Sequence, residues 1–301
     1  MAGVPIRIMV ARHSTFYSPL IATLAAGFWA DGNLAATYAV LPPGARSHDL
    51  IRRGEIDIMQ SAVSTNWGAM EKGMRDLPVH FALINQRDGF FLVGRKPEAP
   101  FHWRHLEGRK LLVDSIPKQG EPPPQPLAML RYAAHCQRLD WNKIELIDGH
   151  SPEEAGLAFR QGRGDYIHQQ GPAPQQFERD GLGSIVAAVG DAMPPVAFSS
   201  LMASRAFLQT EAAKFFVGAY LKAKQWVVDA LAEDVARAEA SYFPGISHEA
   251  LTASISRYQM LGCWRDGIKI SRQLYEQALN VFEYCGAISR RHAYEEVVVS
   301  I

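Results

Sequence analysis

An α/β protein of two similar lobes, each a mostly parallel sheet flanked by helices, with a cleft between them, is predicted by three observations. Short β-branched apolar runs alternate with helical stretches along most of the chain, and the connections between them are short. A helix-like stretch twice runs into a glycine followed three residues later by an aspartate that opens an apolar run: Arg53-Gly54-Glu55-Ile56-Asp57-Ile58 and Gln161-Gly162-Arg163-Gly164-Asp165-Tyr166. The chain also changes character at Gly94-Arg95-Lys96-Pro97, after which the strand-helix series starts again.

In chain order, residues 6–11 read as the first strand. An alanine- and leucine-rich helix follows over 19–29, stopped by Asp31-Gly32-Asn33. A strand over 36–41 runs into the turn Pro42-Pro43-Gly44, then come a helix over 47–53, a strand over 56–59 and a helix over 65–72. Strands over 79–84 and 90–93 are separated by Asp88-Gly89, which is turn chemistry. The second series has a strand ending at Val113, a loop over 114–124, a helix over 126–137, a strand over 144–147, a helix over 152–161 and a strand over 166–169. Pro122-Pro123-Pro124 blocks an earlier helix start, while Pro126 suits a first helical turn.

Strands over 185–188 and 196–203 carry the chain back to the first lobe. One long helix is expected over 211–233, because Phe215, Phe216, Ala219, Ala223, Trp226, Val227 and Leu231 recur at helical spacing. Helices over 247–260, with Ser247 as cap and Glu249 in the first turn, and 271–285 complete lobe 1. Lobe 1 is thus expected to hold residues 1–92 and 193–301 and lobe 2 residues 93–192, with hinge crossings near 86–94 and 190–197.

The 301 residues carry 31 Lys plus Arg and 31 Asp plus Glu, so no net charge steers the protein toward nucleic acid or an anionic membrane. No apolar run approaches the roughly 20 residues of a membrane span. Cys136, Cys263 and Cys285 are far apart with no metal-ligand spacing, and His102, His105, His135, His150, His248 and His292 show none either. No metal, cofactor or catalytic residue is expected. The first eleven residues lack a basic region followed by a sustained apolar stretch. The expected location is cytoplasmic if Met1 is the native start and periplasmic if a signal peptide was removed.

Several motifs, in order, carry a resemblance. They are Tyr17-Ser18-Pro19-Leu20, Ala26-Gly27-Phe28-Trp29 with Gly32-Asn33-Leu34, the first glycine-to-aspartate corner, Leu106-Glu107-Gly108-Arg109-Lys110, Gln161-Gly162 with Asp165, and Gly171-Pro172. Together they resemble the type II periplasmic solute-binding fold, in the broad family of nitrate, sulfonate, taurine and thiamine-precursor binding proteins related to the thiamine pyrimidine synthases. The resemblance implies a solute-binding protein that closes two lobes around a small organic, anionic or aromatic ligand. Its implied partner is an ABC transporter permease. The chain departs from its relatives after the second aspartate, where Gln169-Gln170-Gly171-Pro172 replaces a Trp-Glu-Pro or aromatic signature. Gln60 and Ser64 stand where the synthases place a lysine and a histidine, and the synthases' cysteine-rich loop is missing. No cysteine precedes Cys136 to act as the nucleophile of a sulfinate desulfinase.

In open α/β sheets ligands sit beyond the carboxyl ends of the strands, which selects four loops. Arg12 to Tyr17 offers His13 and Ser14 for hydrogen bonds and Phe16 and Tyr17 for stacking. Gly44 and Arg46 flank a helix start suited to an anionic group. After the first aspartate, Ser61 and Ser64 can donate, with Trp67 a turn further on as core. From the second lobe come Ser115, Lys118 and Gln119, and His168, Gln169 and Gln170, whose polarity in a strand implies a polar wall. The aspartates themselves are expected to hold backbone amides. The competing expectation is a cytosolic decarboxylase, lyase or desulfinase-like enzyme acting on a small aromatic or sulfur-containing acid, centred on His13 with Arg12, Ser14 or Lys118. A ligand-sensing regulator is disfavoured, since no DNA-binding segment is attached.

Overall fold

The computed structural model describes residues 4–29 and 34–301. The helix stop expected at Asp31-Gly32-Asn33 lies outside the described residues. The first half of the chain runs β1 (Val4–Val10), α1 (Ser18–Ala25), β2 (Leu34–Val40), α2 (Ser47–Arg52), β3 (Ile58–Ser61), α3 (Val63–Glu71), β4 (Val79–Asn85) and β5 (Phe90–Gly94). It continues with β6 (Lys110–Val113), α4 (Gln125–Cys136), β7 (Glu145–Asp148), α5 (Pro152–Arg160), β8 (Tyr166–Gln170), α6 (Ala173–Arg179), β9 (Ser184–Ala188) and β10 (Ser199–Ala203). The helices α7 (Glu211–Asp229), α8 (Ala232–Glu239), α9 (His248–Leu261), α10 (Arg272–Tyr284) and α11 (Tyr294–Val297) follow.

These strands form two five-stranded sheets of the same plan, ordered β2-β1-β3-β10-β4 and β7-β6-β8-β5-β9. In each, three strands pair in parallel and the fourth position runs antiparallel to both neighbours, so four of five strands share a direction. The antiparallel strands β5 and β10 are the first that the chain enters after crossing between sheets. The two crossings run side by side: the Val196 amide donates to the Gln86 carbonyl at 2.9 Å and the Phe198 amide to the Asn85 carbonyl at 3.0 Å. This contact starts the returning strand at Ser199, later than the apolar run from Val196 suggests.

The repeated corners are built alike. Gly54 (φ 66°) and Gly162 (φ 90°) take the left-handed conformation that a side chain disfavours, and each ends a helix. The next amide, Glu55 or Arg163, donates back to Leu50 or Ala158 at 2.9 and 3.0 Å. Asp57 and Asp165 then clasp the neighbouring strand: the Arg7 amide donates to Asp57 Oδ2 at 2.8 Å, and the Lys110 amide to Asp165 Oδ2 at 2.9 Å. The aspartate amides return the bond to the carbonyls of Arg7 and Lys110. Each corner thereby sets the register of the strand that ends at the cleft.

The long C-terminal helix predicted over 211–233 is two helices. Ala230 and Leu231 adopt extended backbone, and Gln259 Nε2 donates to both Val227 and Ala230 carbonyls at 2.8 and 2.9 Å, satisfying the groups that a break exposes. Leu231 is exposed at the break. The helices α6, α8 and α11 are additional to those expected from the sequence. The main apolar core is continuous across both sheets, from Ile8, Val10 and Phe16 through Phe90 and Phe91 to Val113 and Leu130. α9 packs on α8 and on α6, and α10 packs on α3 and on α4, so the C-terminal helices touch the helices of both sheets.

Candidate functional site

The carboxyl ends of β1, β3, β6 and β8 converge on one buried polar cluster. Arg12 and Asp114 occupy corresponding places after the first strand of each series, and their side chains pair across the lobes at 2.5 Å. The Arg12 guanidinium also lies 5.3 Å from the centre of the Phe90 ring, on whose plane the His168 imidazole stacks at 4.3 Å. Tyr17 is buried beside Arg12, with Gln60 from β3 and Gln170 from β8 within reach of its hydroxyl. Gln60 Oε1 accepts the Ala11 amide at 3.0 Å, which holds the start of the Arg12 loop.

Burial controls the charge of this cluster. It pushes the His168 imidazole down to about 3, assisted by the Arg12 charge, so this ring is neutral. It pushes the Asp114 carboxyl up against the opposing pull of Arg12. Asp88, at the first crossing, is pushed up to about 8 by burial, although its Oδ1 accepts the Phe90 amide at 2.6 Å. Among the described residues, Asp88 Oδ2, Asp114 Oδ1, His168 Nε2 and Gln170 Oε1 are buried with no hydrogen-bond partner. Unpaired buried polar atoms are uncommon; three of these, Asp114 Oδ1, His168 Nε2 and Gln170 Oε1, stand at the strand ends, and Asp88 Oδ2 stands at the crossing.

The residues expected from the sequence divide into those the fold brings to this cluster and those it uses elsewhere. Tyr17, His168 and Gln170 belong to the cluster. Gln169 alternates to the other face of β8, where its Nε2 donates to the Pro152 carbonyl and its side chain lies against Gly156. His13 has both ring nitrogens engaged: Nε2 donates to the Tyr242 carbonyl at 2.7 Å, and Nδ1 accepts from the Tyr38 hydroxyl at 2.8 Å. Its ring stacks on Phe243 at 4.5 Å, and burial pushes its pKa down. Phe16 is fully buried among Phe198 and Tyr258. Ser14 is a lobe-to-lobe tie, donating to the Gly171 carbonyl at 2.6 Å. Tyr258 completes that tie, accepting the Gly171 amide and donating to the Gly89 carbonyl.

Arg46 and Ser61 line a groove of about 470 Å³ at the ends of β1 to β3, together with Ala11, His48, Thr65 and Lys72. Through Ala11 and Ser61 the groove adjoins Arg12 and Gln60. Gly44 (φ 78°) is exposed in the preceding turn, Ser61 bonds Thr65 at 2.8 Å, and Ser64 is half-buried in the first turn of α3. Ser115 is half-buried, whereas Lys118 and Gln119 are exposed on a loop whose Ile116, Pro117 and Gly120 line a different cavity. The Arg12–Asp114 pair was the main feature that residue-by-residue reading missed. Its signal was positional: opposite charges at equivalent places in the two series.

Among the described residues no group of three or more His, Cys, Asp or Glu could hold a metal, and no helix is long and apolar enough to cross a membrane. Cys263 and Cys285 are buried free thiols, and Cys136 is an exposed one.

No protein-family model matches the chain. It is 26% identical over 296 residues to YtlA of Bacillus subtilis, described as a candidate binding protein, across 97% of this chain and 87% of YtlA. The solved alkanesulfonate-binding protein SsuA from Xanthomonas axonopodis pv. citri, bound to MOPS, superposes with a TM-score of 0.72 at 14% identity, covering 100% of both chains. The chain has the periplasmic-binding-protein fold. Desulfurization enzyme DSZB shares the architecture, with a TM-score of 0.67 at 12% identity over 98% of this chain and 96% of that one. The periplasmic-binding-protein fold therefore hosts a binder and an enzyme, and the site has to decide between them.

Proposed function

We propose that the protein binds a small organic solute between its lobes, as the solute-binding component of an ABC-type uptake system. The observation that carries this reading is the set of three buried, unpaired polar atoms, Asp114 Oδ1, His168 Nε2 and Gln170 Oε1, at the strand ends. A solute entering there supplies the missing partners, and closure about the two adjoining crossings removes it from water. In this reading lobe 1 is residues 1–92 with 193–301, lobe 2 is residues 93–192, and the partner is a transporter permease in a periplasmic setting. The similarity to YtlA and the shared fold with SsuA support it.

The site also limits the chemistry of the ligand. Arg12 is already paired with Asp114, so an anionic group finds its cations in the groove, where Arg46 and Lys72 make no ion pair among the described residues. The aromatic or hydrogen-bonding end then faces Tyr17, His168 and Gln170. An enzyme reading requires a nucleophile or base at the strand ends. Of the groups that reading rests on, the His13 imidazole is committed to Tyr38 and Tyr242, the Ser14 hydroxyl to the Gly171 carbonyl and Arg12 to Asp114. The test is native mass spectrometry with thermal-shift measurement against sulfonates, nitrate, pyrimidines and aromatic acids. One unchanged ligand per chain with a raised Tm, both lost in Gln170→Ala, is the expected result. Turnover of a bound compound, or no binding across the panel, overturns the proposal.

A further inference from the structure

A second cavity, of about 590 Å³, lies away from the strand-end cluster and is walled by both lobes. Its apolar walls come from Leu127 of α4, Trp141, Leu146 of β7, and Pro122 and Pro123 of the loop after β6. The opposite wall is the chain just beyond α10, Cys285 to Ser289, with Glu71 at the end of α3. A cavity of this size holds a drug-sized molecule.

One cation enters this apolar space. Arg131 of α4 lines the cavity, makes no ion pair or hydrogen bond among the described residues, and has its Nε buried without a partner. Its Nε–H, removed from water, requires an acceptor, and a carboxylate or sulfonate supplies one for it and a second for the neighbouring Nη–H. The nearby acids do not fill that role. Glu71 is occupied by the Ser289 amide and hydroxyl and by His292 Nε2, and Glu121 is an exposed residue of the loop. The Cys285 thiol donates to the Ala128 carbonyl, so it adds bulk and no charge.

We infer that this cavity is a second ligand site, for a small aromatic carboxylate or sulfonate whose anion pairs with Arg131 and whose ring lies among Trp141, Leu127 and the prolines. Such a ligand touches α4 and the β6 loop of one lobe and the end of α10 of the other. Its binding therefore ties the lobes together independently of whatever fills the strand-end cleft.

The test is isothermal titration calorimetry of the full chain with 2-naphthoate and, separately, 2-naphthalenesulfonate. Wild type is expected to bind at least one equivalent, one of them at this cavity and retained in Gln170→Ala. Arg131→Gln weakens binding by about tenfold or more, as loss of a charge-assisted pair predicts. Arg131→Lys recovers part of the loss, and Trp141→Ala weakens binding without changing its stoichiometry. Gln170→Ala, at the strand-end cluster, leaves this affinity unchanged, which separates the second site from the proposed solute cleft. Failure of wild type to bind either probe overturns the inference. So does unchanged affinity in an Arg131→Gln protein of normal Tm, or loss of binding in Gln170→Ala.

Discussion

The strand that follows the first glycine-to-aspartate corner and the strand that follows the second start from the same backbone device and end in opposite states. Beyond Asp57, β3 finishes at Gln60, whose Oε1 is taken by the Ala11 amide, and at Ser61, bonded to Thr65. Beyond Asp165, β8 finishes at His168 and Gln170, each with a buried atom that the protein leaves unpaired. The first wall is closed on itself and lies beside an open groove. The second is unfinished and is pressed against the first. The two copies of one plan therefore differ in what they leave over: the first wall is satisfied within its own lobe, and the second keeps buried polar atoms without a partner among the described residues.

The Arg12–Asp114 pair joins these two walls, and breaking it gives the largest expected effect. Both side chains are largely buried, so removing one partner leaves the other desolvated and uncompensated. Arg12→Ala and Asp114→Ala are each expected to lower stability by about 3 kcal/mol in urea unfolding. The double substitution Arg12→Leu with Asp114→Leu is expected to cost less than either, because two desolvated charges leave together. If the double variant instead loses the sum of the two singles, the residues act separately and the pair is not what joins the walls.

A histidine in each sheet sharpens the same comparison through pH. His80 in β4 bonds the Ser200 hydroxyl through Nδ1 at 2.8 Å, whereas the His168 ring in β8 stacks on Phe90; Nε2 of each is buried without a partner among the described residues, and burial pushes both rings down to about 3. The unfolded chain titrates these rings near 6.5, so as pH falls below that value the unfolded state takes up protons that the native state refuses. Stability from each is present above about 6.5 and is lost as pH falls toward 3, at about 1.4 kcal/mol per unit. His168→Phe keeps the stack on Phe90 and removes the titration. Relative to wild type it is expected to gain about 2 kcal/mol between pH 7.5 and pH 5. His80→Phe gains the same pH increment on top of a constant loss from the Ser200 bond. A parallel offset with no pH component in His168→Phe, measured by urea unfolding at both pH values, places a protonated His168 in the folded state and removes the neutral wall.

Much of the architecture was legible in the chain because its signals are local. The glycines at 54 and 162 and the serine cap at 247 act within a few residues of themselves, and the aspartates at 57 and 165 are marked by their spacing from those glycines. The break at Ala230 was not legible, since the group that satisfies it, Gln259, sits in another helix. The site was half legible for the same reason. Strand alternation sends His168 and Gln170 inward and Gln169 outward, which the sequence could have separated. Arg12 and Asp114 lie 102 residues apart, and His13 is used by Tyr38 and Tyr242, partners that only the folded chain brings near. Polar residues at strand ends announce a wall; which of them remain unpaired is a property of the assembled lobes.

The corners themselves provide the smallest and most direct test of the shared plan. Both aspartates accept one backbone amide from the adjacent strand, but only Asp57 also receives a bidentate contact from a side chain, Arg7 Nε and Nη2 at 3.0 and 2.8 Å. Arg7 is 43% exposed, so water screens that ion pair and its added worth is small. The amide bond is common to both corners and sets the expected cost, about 1 kcal/mol for Asp165→Ala and about 1.5 kcal/mol for Asp57→Ala. Arg7→Ala should then cost only about 0.5 kcal/mol and should bring the two corners level. Urea unfolding of the three variants decides between the two contributions. Near-equal losses identify the aspartate-to-amide clasp as the structural unit that both lobes share, while a loss at Asp57 several times that at Asp165 makes the arginine pair dominant and the likeness of the corners one of shape alone.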